Sequence, residues 1–249
     1  MVVGLCGVGG GSMMTPLLIA YGIPPATAVG TDLLYAAITK SAGVLTHHKR
    51  GNIQWKKVGL LAMGSLPASG LALFGLSQID AQSSLYETII SASLGVALLM
   101  TSAILLSRKE PLHPHPEHPT EIRVLARHVS LITVLVGFFI GALVTLSSVG
   151  AGAVGAAALI MLYPRLPAVS IVGVDLAHAL PLAALASVGH LFLGNVDLML
   201  LLNLIPGAIP GVIVGARMAS HISPRLMRHI LGGVLFIVGL SFSYKAVFS

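Results

Sequence analysis

Charged side chains are scarce in this 249-residue chain, where they make up 9% of the residues against 55% hydrophobic ones. A soluble globular domain carries a charge on about 25% of its residues, so this composition excludes that class. Long apolar runs recur along the chain, and each helix that crosses a bilayer needs roughly 20 such residues. The sequence therefore predicts an all-α polytopic membrane protein.

Other features that the sequence lacks exclude further classes. The single cysteine, Cys6, excludes an internal disulfide framework, and residues 1–5 contain no basic segment of the kind that opens a signal peptide. No His-Glu-x-x-His motif is present, and no nucleophile has a nearby base, so we predict neither an enzyme nor a metal or other cofactor. The net charge of +6 comes mostly from loops between apolar runs, which indicates membrane topology rather than nucleic-acid binding.

Two short apolar runs directly follow clusters of glycine. The first cluster contains Gly9, Gly10 and Gly11, and the second contains Gly150 and Gly152. Glycine costs a helix interior about 1 kcal/mol relative to alanine, so consecutive glycines mark a place where a helix stops and restarts. Close helix packing, the alternative, favours small residues at a four-residue spacing instead. With the longer runs, the pattern predicts eight or nine transmembrane segments with glycine-broken helices.

The two halves of the chain are similar to each other. When the sequence is shifted by 143 positions, the separation of Asp32 and Asp175, residues 7–67 align with residues 150–210 without a gap. Chance similarity between apolar segments would favour Leu, Ala and Val, yet most identities are Gly, Pro, Asp, His or Asn. They include Gly9/Gly152, Pro24/Pro167, Gly30/Gly173, Asp32/Asp175, His47/His190, Gly51/Gly194, Asn52/Asn195 and Pro67/Pro210. The chain is therefore predicted to be an internal duplication.

We divide the chain into a first transmembrane repeat at residues 1–106, a linker at 107–128 and a second repeat at 129–249. The basic loop at residues 47–57 has a counterpart at 194–197 without Lys or Arg, whereas residues 217–228 are basic. This switch of the positive side favours inverted repeats of five crossings each, with the C-terminus outside. The first repeat would then lack its opening helix. If each glycine break belongs to one kinked or re-entrant element, four crossings and parallel repeats follow instead.

The linker is dense in histidine and proline. Its histidines, among them His113, His115 and His118, could bind a metal ion, but the alternating prolines hold an extended chain and no tetrahedral ligand spacing is evident. We interpret the segment as a solvated cytoplasmic linker.

Four sequence segments, taken together, resemble the TauE/SafE family of sulfite exporters. They are Gly7-Val8-Gly9-Gly10-Gly11 with Thr15-Pro16, then Ala28-Val29-Gly30-Thr31-Asp32-Leu33, then Gly51-Asn52-Ile53-Gln54-Trp55, and Gly64-Ser65-Leu66-Pro67. The resemblance implies a multi-pass protein of the bacterial inner membrane that transports sulfite, sulfoacetate or a related sulfur anion. The chain departs from the family pattern in lacking a helix before the first glycine cluster and in carrying Val174 where the first copy has Thr31.

Ionisable side chains inside apolar runs need a partner or a purpose, because each costs about 2.5 to 3.5 kcal/mol to insert. The candidates here are Asp32, Lys40, Asp175 and His178. Tyr35 and His178 occupy equivalent positions, each one turn beyond its aspartate and on the same helix face. Two facing copies would present Asp32, Tyr35, Asp175 and His178 to one cavity.

Our hypothesis is that an oxyanion binds free backbone N–H groups where the helices restart, after Gly9–Gly11 and after Gly150–Gly152. Thr31, Tyr35 and His178 could add donors, and Asp32 or Asp175 could exchange a coupling proton. Alternatively, both aspartates cap helices or pair with Lys40 and His178, and Lys40 extends to the basic loop.

Together with the resemblance, these features predict a proton-coupled exporter of a small sulfur-containing anion. The alternative is a passive anion channel, or a permease for another small anion, and a channel would need no protonatable carboxylate.

Overall fold

The computed structural model describes residues 11–107, 123–207 and 224–248, and within these ranges it contains nine helices and no strand. The helices are α1 (Gly11–Ala20), α2 (Pro25–Lys49), α3 (Trp55–Ser77), α4 (Ser84–Ser107), α5 (Arg123–Ser147), α6 (Ala153–Leu162), α7 (Ala168–Phe192), α8 (Leu198–Gly207) and α9 (Pro224–Phe248). The predicted site residues Gly9 and Gly10, and most of the predicted linker, lie outside the described residues.

Five helices are long and apolar enough to cross a membrane: α3, α4, α7, the part of α5 from His128 to Ser147, and the part of α9 from Leu226 to Tyr244. The prediction of an all-α polytopic membrane protein is thus confirmed. Helix α2 is as long as α7 but is not among the five, and its 25 residues include Asp32 and Lys40. Helix α5 begins at Arg123, inside the segment that we assigned to the linker, and its backbone departs from helical geometry at His128.

Helices α2 and α7 begin and end alike. Each starts after a proline in extended conformation, Pro24 with ψ 142° and Pro167 with ψ 142°. After α2, Gly51 has a left-handed φ of 68°, and the backbone N–H of Asn52 donates to the backbone carbonyl of His47 at 3.0 Å. The counterparts His190, Gly194 (φ 76°) and Asn195 repeat this arrangement after α7, with a distance of 2.9 Å. The repeated His, Gly and Asn positions thus encode a Schellman helix end, in which only glycine adopts the required φ at no cost.

The same two helices pack side by side and antiparallel. Gly30, near the start of α2, lies against the carbonyl of Asn195, which follows the end of α7. Its counterpart Gly173, near the start of α7, lies against the carbonyl of Asn52, which follows the end of α2. Equivalent positions therefore exchange equivalent contacts, which is the pattern of two-fold symmetry.

Helices α4 and α9 also pack antiparallel. Gly95 lies against Ser243, and further along α4 the hydroxyl of Ser102 donates to the carbonyl of Gly232 at 2.8 Å. Small residues at these points let the two backbones approach closely, as is usual where helices associate in a bilayer.

Helix α3 packs along α5 in the same direction. A Cβ atom at Gly64 would meet the carbonyl of Val134, and one at Gly141 would meet the backbone of Ser65. A hydrogen bond of 2.7 Å from Thr145 to Ser69 continues this contact towards the end of α5.

The second glycine cluster breaks the chain between α5 and α6, as predicted. Ser148, Gly150 and Gly152 have φ values of 58°, 121° and 122°, which reverse the chain direction. Helix α6 then runs back along α5, since Tyr163 after its end shares a hydrogen bond of 2.7 Å with Thr133, ten residues after the start of α5. Glycine is required at the positions near 120° because a side chain there would be strained.

Candidate substrate site at the helix break

Asp32 is fully buried and bound to two hydroxyl groups. Thr15 on α1 donates to its Oδ2 atom at 2.6 Å, and Ser148 in the break between α5 and α6 donates to the same atom at 2.9 Å. The other carboxyl oxygen, Oδ1, has no hydrogen-bond partner among the described residues. Asp32 therefore joins its own helix to an element from the other half of the chain.

Asp175 occupies the opposite end of the same break. The backbone N–H of Gly152, immediately before α6, donates to its Oδ1 atom at 3.3 Å. This oxygen also fills the place that a Cβ atom would take at Gly155, so only glycine leaves room for the carboxyl group. The Gly152 N–H, which we had expected to be free for an anion, is thus bound by a carboxyl group of the protein itself.

Lys40 provides the positive charge of the site. It lies on α2, is half-buried, and interacts electrostatically with both Asp32 and Asp175. A cation between two carboxyl groups in a low-dielectric environment stabilises their ionised forms, and the carboxyl groups stabilise the cation. Because Lys40 interacts electrostatically with both aspartates, its pairing with Asp175 in particular stays a prediction.

Two of the three predicted donors, His178 and Thr31, form hydrogen bonds within the protein. The His178 ring is buried, and its Nε2 atom lies 2.8 Å from the Ser65 hydroxyl on α3. The Thr31 hydroxyl oxygen accepts the backbone N–H of Asp197 at 3.0 Å, which ties α2 to the start of α8. Tyr35 is buried one turn beyond Asp32 and interacts electrostatically with its charge.

A second polar network is buried around His190. The ring Nε2 atom lies 2.9 Å from the carbonyl of Thr145, so it carries the hydrogen, and Nδ1 accepts from the Asn195 side chain at 3.2 Å. Asn195 also donates to the hydroxyl of Tyr86. The counterpart His47 has no such network, and its buried Nδ1 atom lacks a partner within the described parts of the chain.

Sequence reasoning identified the two aspartates, Lys40 and His178 but missed their partners. Thr15, Ser148 and Ser65 are small hydroxyl residues in apolar segments, where such residues are common and are usually satisfied by their own helix. Thr15 and Ser65 both lie in the segments that carry the family resemblance, which was the one available signal.

Comparison with known proteins supports a transport role for this arrangement. The family model described as sulfite exporter TauE/SafE matches residues 1–242. The chain belongs to the TauE/SafE family. Among its relatives, the Probable membrane transporter protein YjnA of Bacillus subtilis is 38% identical over 96% of this chain and 93% of its own length. The Probable membrane transporter protein YdhB of the same organism is 28% identical over 91% and 88%.

No solved structure matches the chain significantly. Membership of the TauE/SafE family, with the apolar helices described above, makes this chain a multi-pass membrane transporter. The family match extends over both halves of the chain, and therefore over both aspartates.

Proposed function

We propose that this TauE/SafE protein is a secondary transporter that exports a small sulfur-containing anion, such as sulfite or an organosulfonate, across the bacterial cell membrane with proton coupling. The observation that carries the proposal is that carboxyl groups from both halves, Asp32 and Asp175, contact the same break between α5 and α6. Ionisable groups inside apolar helices at broken elements are typical of ion and substrate pathways.

The chemistry of the break suits an anion. The N-terminus of α6 presents backbone N–H groups and the positive end of the helix dipole, which together bind negatively charged oxygens. Lys40 adds an amino group on α2, which interacts electrostatically with Asp175. The carboxyl groups supply sites that take up and release protons, which a passive anion channel does not require.

The antiparallel packing of equivalent helices supports an inverted arrangement of the two halves in the membrane. A two-fold axis that lies in the membrane plane turns each helix into an antiparallel counterpart, whereas an axis along the membrane normal leaves counterparts parallel. The counterparts α2 and α7 run antiparallel, and so do α4 and α9, the last described helix of each half. Counted as a crossing, α6 brings the second half to five crossings, the odd number that inversion requires.

The proposal is tested by transport in proteoliposomes that contain the purified full chain. Efflux of sulfite, sulfoacetate and thiosulfate is followed with and without an imposed pH gradient, with chloride as a control anion. We expect efflux of at least one sulfur anion that exceeds chloride efflux and depends on the gradient. Efflux unaffected by collapse of the gradient would show a channel, and no sulfur-anion flux would contradict the proposal.

The role of Lys40 is tested in the same assay. Lys40→Met removes the charge but keeps a similar apolar stem, and we expect the half-saturating anion concentration to rise by about tenfold, the equivalent of one charge-assisted hydrogen bond of roughly 1.4 kcal/mol. Lys56→Met is the matched control, because Lys56 is exposed at the start of α3. Equal effects of the two substitutions would remove Lys40 from the site.

A further inference from the structure

The carboxyl group of Asp175 sits where an anion would bind. It accepts the N–H of Gly152 at the start of α6, and its oxygen fits into the space left by Gly155. A carboxylate oxygen on a helix N-terminus is chemically equivalent to one oxygen of a bound oxyanion. The protein therefore provides its own anion at this position.

This internal anion is weakly held. The bond to Gly152 measures 3.3 Å, long for a bond to a charged acceptor, and it is the one hydrogen bond that Asp175 makes with the described parts of the chain. The side chain is 7% exposed, whereas its counterpart Asp32 is completely enclosed and holds two hydroxyl groups. A carboxyl group held by one long hydrogen bond is displaced more easily than one held by two short ones.

We propose that Asp175 competes with the transported anion for the N-terminus of α6, and that a proton on Asp175 opens this site for a small oxyanion such as a sulfonate. This inference rests on the proposed transport function and assigns it a coupling step. A proton from the aqueous phase binds the Asp175 carboxylate, which then no longer holds the Gly152 N–H. The anion takes that N–H beside Lys40. When the anion leaves on the other side, the proton is released to the water on that same side, so the two cross together, and the carboxylate occupies the break again.

The other titratable and charged groups around Asp175 come from several elements of the fold. From α2, Lys40 acts on Asp175, and His47 faces Gly173. On its own helix, His178 is turned to Ser65 of α3. The break contributes neutral backbone. At the start of α3, Lys57 lies over the ring of Tyr163, the residue after α6, 4.8 Å from the ring centre. Asp32 contacts the break through Ser148.

The test is the pH dependence of sulfoacetate binding to the full chain in detergent, measured by calorimetry between pH 5.5 and 8. For the wild type, the dissociation constant rises with pH, by up to about tenfold per pH unit once the competing carboxyl group is ionised. In Asp175→Asn the dissociation constant changes by less than about twofold across the same range, because the asparagine side chain does not ionise and so cannot compete with the anion. His47→Gln retains the wild-type dependence.

Gly155→Ala gives an independent check that leaves every charge in place. Its methyl group takes the position of the Asp175 oxygen, so the carboxyl group must leave the break, and the pH dependence flattens as in Asp175→Asn. Gly70→Ala is the control, since a Cβ atom there meets open space on α3. Circular dichroism and size-exclusion profiles establish that each variant is folded.

The outcomes separate the two proposals. A folded Asp175→Asn or Gly155→Ala protein with the wild-type pH dependence overturns the competition, while the transport function stands if the wild type still moves a sulfur anion. If the wild type neither binds nor transports any sulfur anion, the transport proposal itself fails.

Discussion

The Ser148 hydroxyl donates a hydrogen bond of 2.9 Å to Oδ2 of Asp32 across 116 residues of chain. Ser148 lies in the break between α5 and α6 and has a left-handed backbone conformation, with φ 58°. A non-glycine residue in this conformation is uncommon and typically marks a functional site. The hydrogen bond connects the intramembrane carboxyl group of the first half to the broken helix of the second.

Removing the hydroxyl of Thr15 should destabilise the protein. Thr15→Val keeps the shape of the buried side chain but takes a 2.6 Å hydrogen bond from Asp32, and we expect a loss of about 1–3 kcal/mol. Thermal unfolding in detergent measures it. The control is Thr39→Val, because the exposed Thr39 hydroxyl bonds the carbonyl of Tyr35 on its own helix. Equal losses for the two variants would show that the bond to Asp32 contributes nothing specific.

The close approach of α2 to the end of α7 predicts a large effect at Gly30. In Gly30→Ala, the new methyl group would overlap the carbonyl oxygen of Asn195, and overpacking of this kind costs about 1–3 kcal/mol or more. Gly59→Ala on α3 meets open space and should be neutral or slightly stabilising. Comparison of the two melting temperatures decides the point, and a Gly30→Ala protein as stable as Gly59→Ala contradicts the antiparallel packing.

The two helix-end asparagines should differ although the sequence repeats them. Asn195→Ala leaves the Tyr86 hydroxyl and the Nδ1 atom of His190 without their shared donor, at about 1–3 kcal/mol for each group. The side chain of Asn52 makes no hydrogen bond within the described residues, so Asn52→Ala should cost less than about 1 kcal/mol. Denaturant or thermal unfolding of both variants tests this, and a larger loss for Asn52→Ala would reverse the assignment.

Inverted halves predict opposite sides of the membrane for the linker and the C-terminus. Alkaline phosphatase is active only outside the cytoplasm, so we expect activity when it is fused after Ser249 and none when it is fused after residue 115. Fluorescent-protein fusions at the same two positions should give the reverse pattern. A cytoplasmic C-terminus would establish parallel halves instead.

Much of the fold follows from local sequence. Pro24 and Pro167 set the starts of α2 and α7, and Gly51 and Gly194 set their ends, because these residues restrict or free the backbone wherever they occur. The break at Gly150 and Gly152 could be predicted for the same reason. Contacts that depend on distant neighbours could not be predicted: the hydroxyl oxygen of Thr31 accepts the backbone N–H of Asp197, in the other half of the chain.

The sequence by itself determined the class of protein, the matching halves and the identity of the buried ionisable residues. Composition is a property of the sequence alone, and glycine and proline affect only the backbone of their immediate neighbours. Both can therefore be interpreted without a structure. Tertiary structure alone decided that Asp32 and Asp175 meet one break, the first through Ser148 and the second through Gly152. The Asp32 contact spans 116 residues of chain and the Asp175 contact 23. Both depend on how the helices pack, so the two equivalent aspartates have different partners.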